Sequence, residues 1–590
     1  MKVSSRYLLL LTQLAGHVAA LPEAGQRTPS VDIENGTIVG IHNHVYDQDL
    51  FLGIPFAQPP IGERRFDLPH PINAKWNDPL RATSYGPACK GYSLNLEGFD
   101  QRGFPLPRSE DCLTLNIVRP AVAGNSSARG AGQLLPVLVW IYGGGFQDGS
   151  SRDERYNMST LVSTSVEMGS PILGVSLNYR VAGWGFLGGA EILEAGLANI
   201  GVHDQRLALQ WLRENIAAFG GDPDRVTIQG ESAGGNSVAL HLRGYAGQSS
   251  DRPFRAAIME SAGPPIGHLS GPSEAMENMY REVLEATECS NAPDHVACLR
   301  SASAEALDGI FSTQNWGNPG YMADGRILFQ NTSMRDGDFA RVPLLIGTNQ
   351  VEGTTFMRQA KVMANTTADI ADFLAPRAGK ASNQTISSLV QEYLNLNMTE
   401  ELGPVRPDAY GAMFGHASLA LADVLFDAPK RLLAETWSRY DVPVYSYRFK
   451  TIPAGISPEE LGATHFQEVA FVFRNKEGWG YDINPFAVTT DDRRRSYENL
   501  SDEMARMWIN FVNNLSPNAH EGKRRLELDV IERDIKIGLD YSSAQQWPRY
   551  TEGNPVNMVF DADYGSYVEK DDYRAITINI IKKPGSGFLD

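Results

Sequence analysis

In RVTIQGESAGGNSVALHL, residues 225–242, a strand pattern gives way to a helical one. RVTIQ (225–229) has the β-branched, apolar character of a short strand. NSVALHL (236–242) spaces its apolar residues as a helix does. Between them GESAGG (230–235) turns the chain from strand to helix. Gly230 and Gly234 stand where a side chain would crowd such a turn. Ser232 is then held at the carboxyl end of a strand and the N-terminus of a helix. Free N–H groups and the helix dipole favour developing negative charge there. Strand, G-x-S-x-G, helix is the setting in which a serine serves as nucleophile.

A second copy of Glu-Ser-Ala-Gly occurs in MESAGP, residues 259–264. Ser261 has Met259 where the first glycine belongs. Two prolines come next in GPPIG, so no helix can begin cleanly there. AAIME before it reads as a strand. Ser232 is therefore the candidate nucleophile, and Ser261 a strand-end residue with a structural role.

An ester-cleaving serine needs donors for a tetrahedral oxyanion, each worth on the order of 10²–10³ in rate. PVLVWIYGGGFQDG, residues 136–149, supplies a buried-strand run and then Gly143, Gly144 and Gly145. Glycines let backbone N–H groups approach a substrate oxygen without a Cβ in the way. The N–H after the nucleophile is the other expected donor. Gly144, Gly145 and Ala233 are assigned as the oxyanion donors.

Several stretches together carry a family resemblance: FLGIPFAQPPIGERRF (51–66), SEDCLTLNI (109–117), VWIYGGGFQDG (139–149) and NIGVHDQRLALQWLRENIAAFGGDPDRVTIQGESAGG (199–235). The sequence resembles the type-B carboxylesterases from roughly Asp32 to Asp561. These form the branch of the α/β-hydrolase superfamily that includes cholinesterases and fungal lipases. The resemblance implies an α/β-hydrolase fold: a large, mostly parallel central sheet flanked by helices, with insertions forming a gorge and lid.

In that superfamily the acid and then the histidine come after the serine in the chain. Among the eleven histidines, His241, His268 and His295 lie too close behind Ser232. His416, His465 and His520 remain. GATHFQEVAFVF (462–473) resembles the family's histidine loop and singles out His465. His416 lies in a helical pattern as a packed core residue, and His520 in a polar, solvated loop. LLIGTNQVEGTTF (344–356) resembles the acid motif, in which a Glu precedes Gly, and places the acid at Glu352. Val351 stands where the family has an acidic residue. The expected machinery is thus Ser232, Glu352 and His465, with no metal or organic cofactor.

The resemblance also places the loop between Cys89 and Cys112 over the gorge as a lid or rim. Arg65 and Glu110 match a family salt bridge that would brace its base. The loop lacks the tryptophan that cholinesterases place there, and a quaternary ammonium needs an aromatic face. Choline-ester specificity is not expected. The loop is shorter than the helical flap of the lipase branch, which favours soluble or modest-length esters over emulsified triglycerides. A triacylglycerol lipase and an acyltransferase are alternatives on the same scaffold. A non-catalytic cholinesterase-like binding protein is the alternative of another class.

The N-terminus, MKVSSRYLLLLTQLAGHVAALPEAG, has Lys2 and Arg6 before a mostly apolar Tyr7–Ala15 and the small residues Val18-Ala19-Ala20. That is the pattern of a secretory signal peptide, too short to span a bilayer. Residues 1–20 are expected to be removed, leaving 21–590 as a single secreted catalytic domain. No later segment is long and apolar enough to cross a membrane, and the C-terminus lacks the tail of a lipid-anchor signal. The four cysteines, Cys89, Cys112, Cys289 and Cys298, allow three pairings. Nearest-neighbour pairing would close two short loops, with free thiols as the alternative. Glycosylation sequons occur at Asn35, Asn125, Asn157, Asn331, Asn365, Asn383, Asn397, Asn499 and Asn514. Asn514 is the poorest of them, because Pro517 comes directly after its sequon. A net charge of −18 repels polyanions, so the partner expected is a small-molecule ester and not nucleic acid. Acyl and alcohol specificity and oligomeric state are not encoded legibly.

Overall fold

The structure is a computed structural model and describes residues 28–94, 96–99, 106–121, 134–244, 252–314, 320–405, 410–518 and 546–590. The signal-peptide segment, Asn125 and His520 lie outside the described residues.

Eleven of the strand-forming runs assemble into one large sheet, with a three-stranded and a two-stranded sheet beside it. In chain order its strands are β1 (Ile41–Asn43), β2 (Gln48–Pro55), β3 (Thr114–Pro120), β4 (Leu135–Ile141), β5 (Leu173–Leu177), β6 (Gly221–Glu231), β7 (Ala256–Glu260), β8 (Leu344–Asn349), β9 (Val444–Phe449), β10 (Val556–Phe560) and β11 (Tyr567–Lys570). Their spatial order is β11-β10-β9-β8-β7-β6-β4-β5-β3-β2-β1. From β10 across to β5 every pairing is parallel. Antiparallel strands close both edges. The central strands are buried along nearly their whole length, as β4, β7, β8 and β9 show. Strands covered on both faces read as continuous apolar runs, which is why PVLVWIY and LLIGTN carry no alternation.

Helices α1 (Met158–Glu167), α2 (Ile200–Asn215), α3 (Ala233–Gly244), α4 (Gly353–Ala360), α5 (Phe414–Ala422), α6 (Ala428–Arg439), α7 (Asp491–Asn514) and α8 (Ala575–Lys582) include the principal helical segments. Trp140, Trp437, Trp508 and Trp547 are fully buried in the core; complete burial of a large apolar side chain stabilises by about 1.5–3 kcal/mol. A separate buried cluster joins α4, α5 and α8 through Met357, Leu419, Leu421, Ile578 and Ile581.

In an open α/β sheet the ligand site lies outside the carboxyl ends of the strands, where the strand order reverses. The reversal here falls at β6, β4 and β5. Gly230 pairs with Ile141 across β6 and β4, so the segments that leave these two strands emerge side by side. They are the GESAGG turn and the glycine loop.

Both disulfides have nearest-neighbour pairing: Cys89–Cys112 and Cys289–Cys298. Among the described residues no helix is long and apolar enough to cross a membrane.

Candidate active site

Ser232 sits between β6 and α3 with φ at +56°. A left-handed conformation costs a non-glycine residue roughly 1–2 kcal/mol, and here the neighbourhood imposes it. The Ser232 N–H donates to the Glu260 carbonyl at the end of β7 (2.9 Å), and its carbonyl accepts from Asn236 N–H (2.8 Å). A Cβ on Gly234 would collide with the Ile141 carbonyl of β4, so only glycine lets helix α3 begin this close to the sheet. The side chain of Ser232 is half-buried, whereas Glu231 before it is fully buried.

The glycine loop lies alongside. A Cβ on Gly143 would come within 3.0 Å of Ser232 Cβ. Gly144 has φ at +101° and its carbonyl accepts from Gln147 and Asp148 N–H. Among the described residues, the N–H groups of Gly144, Gly145 and Ala233 have no hydrogen-bond acceptor. Three donors are thus left open beside the serine.

Glu352 stands at the head of α4, two strands along from the GESAGG turn, the elbow that carries Ser232, and His465 in the loop after β9. His465 Nδ1 is 2.6 Å from Glu352 Oε2, with both side chains buried. His465 Nε2 has no hydrogen-bond partner among the described residues and lies 3.2 Å from Glu231 Oε1, the carboxylate next to Ser232. The second ring nitrogen therefore faces the elbow. Phe356 and Phe426 pack against the imidazole, with ring centroids 4.9 and 5.0 Å away.

The second Glu-Ser-Ala-Gly copy enters the same cluster. Ser261, also left-handed (φ +47°) and fully buried, comes after β7 as a strand-end residue. Its Oγ lies 2.6 Å from Glu352 Oε1 and 3.1 Å from Glu468 Oε1. A hydroxyl carries one proton and can donate to only one of two carboxylates. Donation to Glu352, the shorter contact, leaves Glu468 as the donor to Ser261 whenever its carboxyl carries a proton. Burial first, and then the Glu352 charge, push the Glu468 carboxyl up to about 7. Asn349 ties the group together, its backbone N–H donating to Glu352 Oε1 and its side chain to Glu468 Oε2, both at 2.6 Å. Glu231 and Glu260 are likewise held well above the ordinary carboxylate range, first by burial and then by neighbouring carboxylates. Sequence reasoning missed Glu468, Asn349, Phe356 and Phe426; Glu468, three residues after His465 in the histidine loop, was the legible one.

At the rim, Arg65 grips Glu110 with two parallel bonds (2.7 and 2.8 Å), as expected from the resemblance. The same guanidinium donates to the Arg300 and Ala302 carbonyls, bracing the base of the Cys89–Cys112 loop against the segment that carries the second disulfide. His416 is half-buried on α5, and its Nδ1 has no hydrogen-bond partner among the described residues.

A serine elbow, an open-donor glycine loop and a carboxylate–imidazole pair at the carboxyl ends of the parallel strands of one sheet coincide with a family match. The carboxylesterase family model fits residues 27–573. The chain belongs to the carboxylesterase family. Relatives within it include lipase 4 of Diutina rugosa, 37% identical over 99% of this chain and 100% of that protein. A secreted triacylglycerol lipase of Gibberella zeae is 32% identical over 83% of this chain and 82% of its own. Para-nitrobenzyl esterase of Bacillus subtilis is 30% identical over 87% and 91%. The crystal structure of Aspergillus niger EstA superposes with a TM-score of 0.73 at 26% identity, covering 95% of this chain and 99% of that one. As a carboxylesterase-family member with the α/β-hydrolase fold, the protein is a carboxylic ester hydrolase.

Proposed function

We propose that the protein is a secreted serine esterase in which Ser232, His465 and Glu352 form the catalytic triad. His465 Nε2 takes the Ser232 proton as the hydroxyl oxygen attacks the ester carbonyl. Glu352 holds Nδ1–H, fixing the tautomer and stabilising the imidazolium. The N–H groups of Gly144, Gly145 and Ala233 receive the oxyanion. His465 then returns the proton to the departing alcohol, leaving an acyl group on Ser232. Water deprotonated by His465 attacks that acyl-enzyme and releases the acid. The observation that carries this reading is the Glu352–His465 hydrogen bond, with Nε2 unbonded and facing the elbow.

Hydrolysis of p-nitrophenyl butyrate by Ser232→Ala and Ser261→Ala variants tests it. Loss of roughly 10⁴-fold or more in kcat is expected for Ser232→Ala alone, with the fold retained. Normal turnover by that variant would refute the assignment.

Triacylglycerol hydrolysis is the second reading. It is favoured by relatives named as lipases that align along 83% to 99% of the chain. The character of the Cys89–Cys112 loop favours shorter, soluble esters instead. A jump in rate when tributyrin passes its solubility limit would identify a lipase; proportional kinetics through that limit would identify an esterase. Acyl transfer uses the same acyl-enzyme, and ester formation with added alcohol would reveal it.

Secretion rests on the signal-like residues 1–20, the two disulfides and relatives named as secreted. Residues 21–590 are then one mature catalytic domain. Asn331, Asn365, Asn383, Asn397 and Asn499 are exposed and open to glycans. Asn35 is less so, because its amide already donates to the Ile72 and Ala74 carbonyls. N-terminal sequencing and glycan mapping of protein from culture medium test these points.

A further inference from the structure

Helices α5 and α6 are one continuous helix interrupted by a single wide turn, Asp423–Asp427. The Ala428 N–H donates to the Asp423 carbonyl, five residues back instead of four. Pro429 accounts for part of this: it has no N–H to offer the Leu425 carbonyl. That carbonyl lies instead against Gly263, where a Cβ would collide with it. Inserting one residue into a helical turn rotates the downstream helix by about 100° relative to the upstream one. Wide turns of this kind are rare and cluster at functional sites.

The turn has two faces with different contents. On one, Asp423 and Asp427 are buried and converge on Arg574, the residue preceding α8. The Arg574 guanidinium donates to Asp423 Oδ1 from Nε (2.9 Å) and Nη2 (2.8 Å), to Asp427 Oδ2 from Nη2 (2.8 Å) and to Glu401 from Nη1 (2.8 Å). Tyr393 adds a hydroxyl to Asp423; Tyr573 and Thr348 add hydroxyls to Asp427. On the other face, Phe426 reaches His465 at 5.0 Å and stacks on Phe356 at 5.6 Å. Phe356 lies one turn along α4 from Glu352 and itself touches the imidazole.

The Glu352 hydrogen bond fixes the imidazole only at Nδ1, and the swing of the ring about that bond is limited by what packs on it. We infer that Phe426 is a positioning residue that stops this swing, and that the buried Asp423–Arg574–Asp427 clamp holds Phe426 in place from the far end of the chain. The inference rests on His465 being the base. It assigns a task to three buried charged side chains that the mechanism does not otherwise use, the arginine lying 151 and 147 positions from its two aspartates. Phe426 acts through His465 and needs no contact with the ester.

The test compares Phe426→Ala, Phe426→Leu, Arg574→Lys and His465→Gln, each in the full chain. The readouts are kcat and KM for p-nitrophenyl butyrate and the rate of serine modification by a fluorophosphonate. Phe426→Ala should lower kcat by about 10- to 100-fold with KM nearly unchanged, the scale of a small misplacement of a reacting group. The fluorophosphonate rate should fall by the same factor. Phe426→Leu, which fills part of the space, should recover part of the loss. Arg574→Lys keeps the charge but cannot fork between two carboxylates, and should reproduce a milder kcat loss. Arg574→Ala is avoided because it strips two buried aspartates of their counter-charge and can unfold the chain; the Phe426 variants leave the clamp intact.

A folded Phe426→Ala variant with wild-type kcat overturns the proposal, as does a rise in KM alone, which would make Phe426 a substrate wall. Arg574→Lys with wild-type kcat beside a slowed Phe426→Ala overturns the clamp. His465→Gln separates the two levels. If it keeps full activity, the assignment of His465 as base fails; if it is inactive, the Phe426 results judge the positioning proposal alone.

Discussion

His465 Nδ1 lies 2.6 Å from Glu352 Oε2, and this buried contact spans 113 positions of sequence. The carboxylate is itself fixed on its other oxygen by Asn349 N–H and Ser261 Oγ. An acceptor this constrained holds the imidazole in the tautomer that leaves Nε2 free to take a proton. Glu352→Gln keeps the shape but can offer an N–H where Nδ1–H must be accepted. We expect kcat for p-nitrophenyl butyrate to fall on the order of 10⁴ with thermal stability little changed. A loss of less than tenfold would show that Glu352 does not orient the base.

Ser261→Ala removes a buried hydroxyl that serves both Glu352 and Glu468. Leaving a buried polar group unsatisfied costs about 1–3 kcal/mol. The expected outcome is a lower midpoint in urea unfolding of about that size, with a kcat loss far smaller than that of Ser232→Ala. A variant as inactive as Ser232→Ala would mean that the two serines have been assigned in reverse.

Glu468 makes stability depend on pH. Its native carboxyl is raised from 4.5 to about 7, chiefly by burial. Between those two values the native state keeps a proton that the unfolded chain has released. Folding therefore takes up a proton there, and stability falls as pH rises through that window. Glu468→Gln cannot titrate. Urea unfolding from pH 4.5 to pH 7 should show a steeper loss for the wild type than for this variant. Parallel curves would contradict the protonated Glu468 on which the Ser261 arrangement depends.

The elbow and the glycine loop are legible because each is a local device: a strand run, then small residues wherever backbone must approach backbone. The acid and histidine become legible only through family resemblance, since a Glu before Gly or a His after a turn is common. Neither carries a local mark of pairing with the other. Ser261 reads as structural, and it does end a strand. Its bonds to Glu352 and Glu468, 91 and 207 positions away, leave no trace in its own neighbours. Phe426 and Arg574 are invisible for the same reason. An aromatic in a helical apolar pattern reads as core, and only tertiary packing sets it against an imidazole. The Cys89–Cys112 loop falls partly outside the described residues, so the gorge that would set specificity stays an expectation from the resemblance.

Arg65 braces the loop base with four hydrogen bonds to Glu110, Arg300 and Ala302. Arg65→Ala leaves a largely buried carboxylate and two carbonyls without this donor. We expect a stability loss of about 2–4 kcal/mol by chemical denaturation. Arg65→Lys should recover less than half of it, because an ammonium cannot form the paired contact. Full recovery by lysine would reduce the brace to a simple charge effect.

Peptide mass spectrometry of a fluorophosphonate adduct shows which serine is the nucleophile. Only an activated serine under an oxyanion-binding loop should react at speed. One adduct is expected, on Ser232, formed rapidly in the wild type, very slowly in His465→Gln and not at all in Ser232→Ala. An adduct on Ser261, or equal labelling of wild type and His465→Gln, would contradict it.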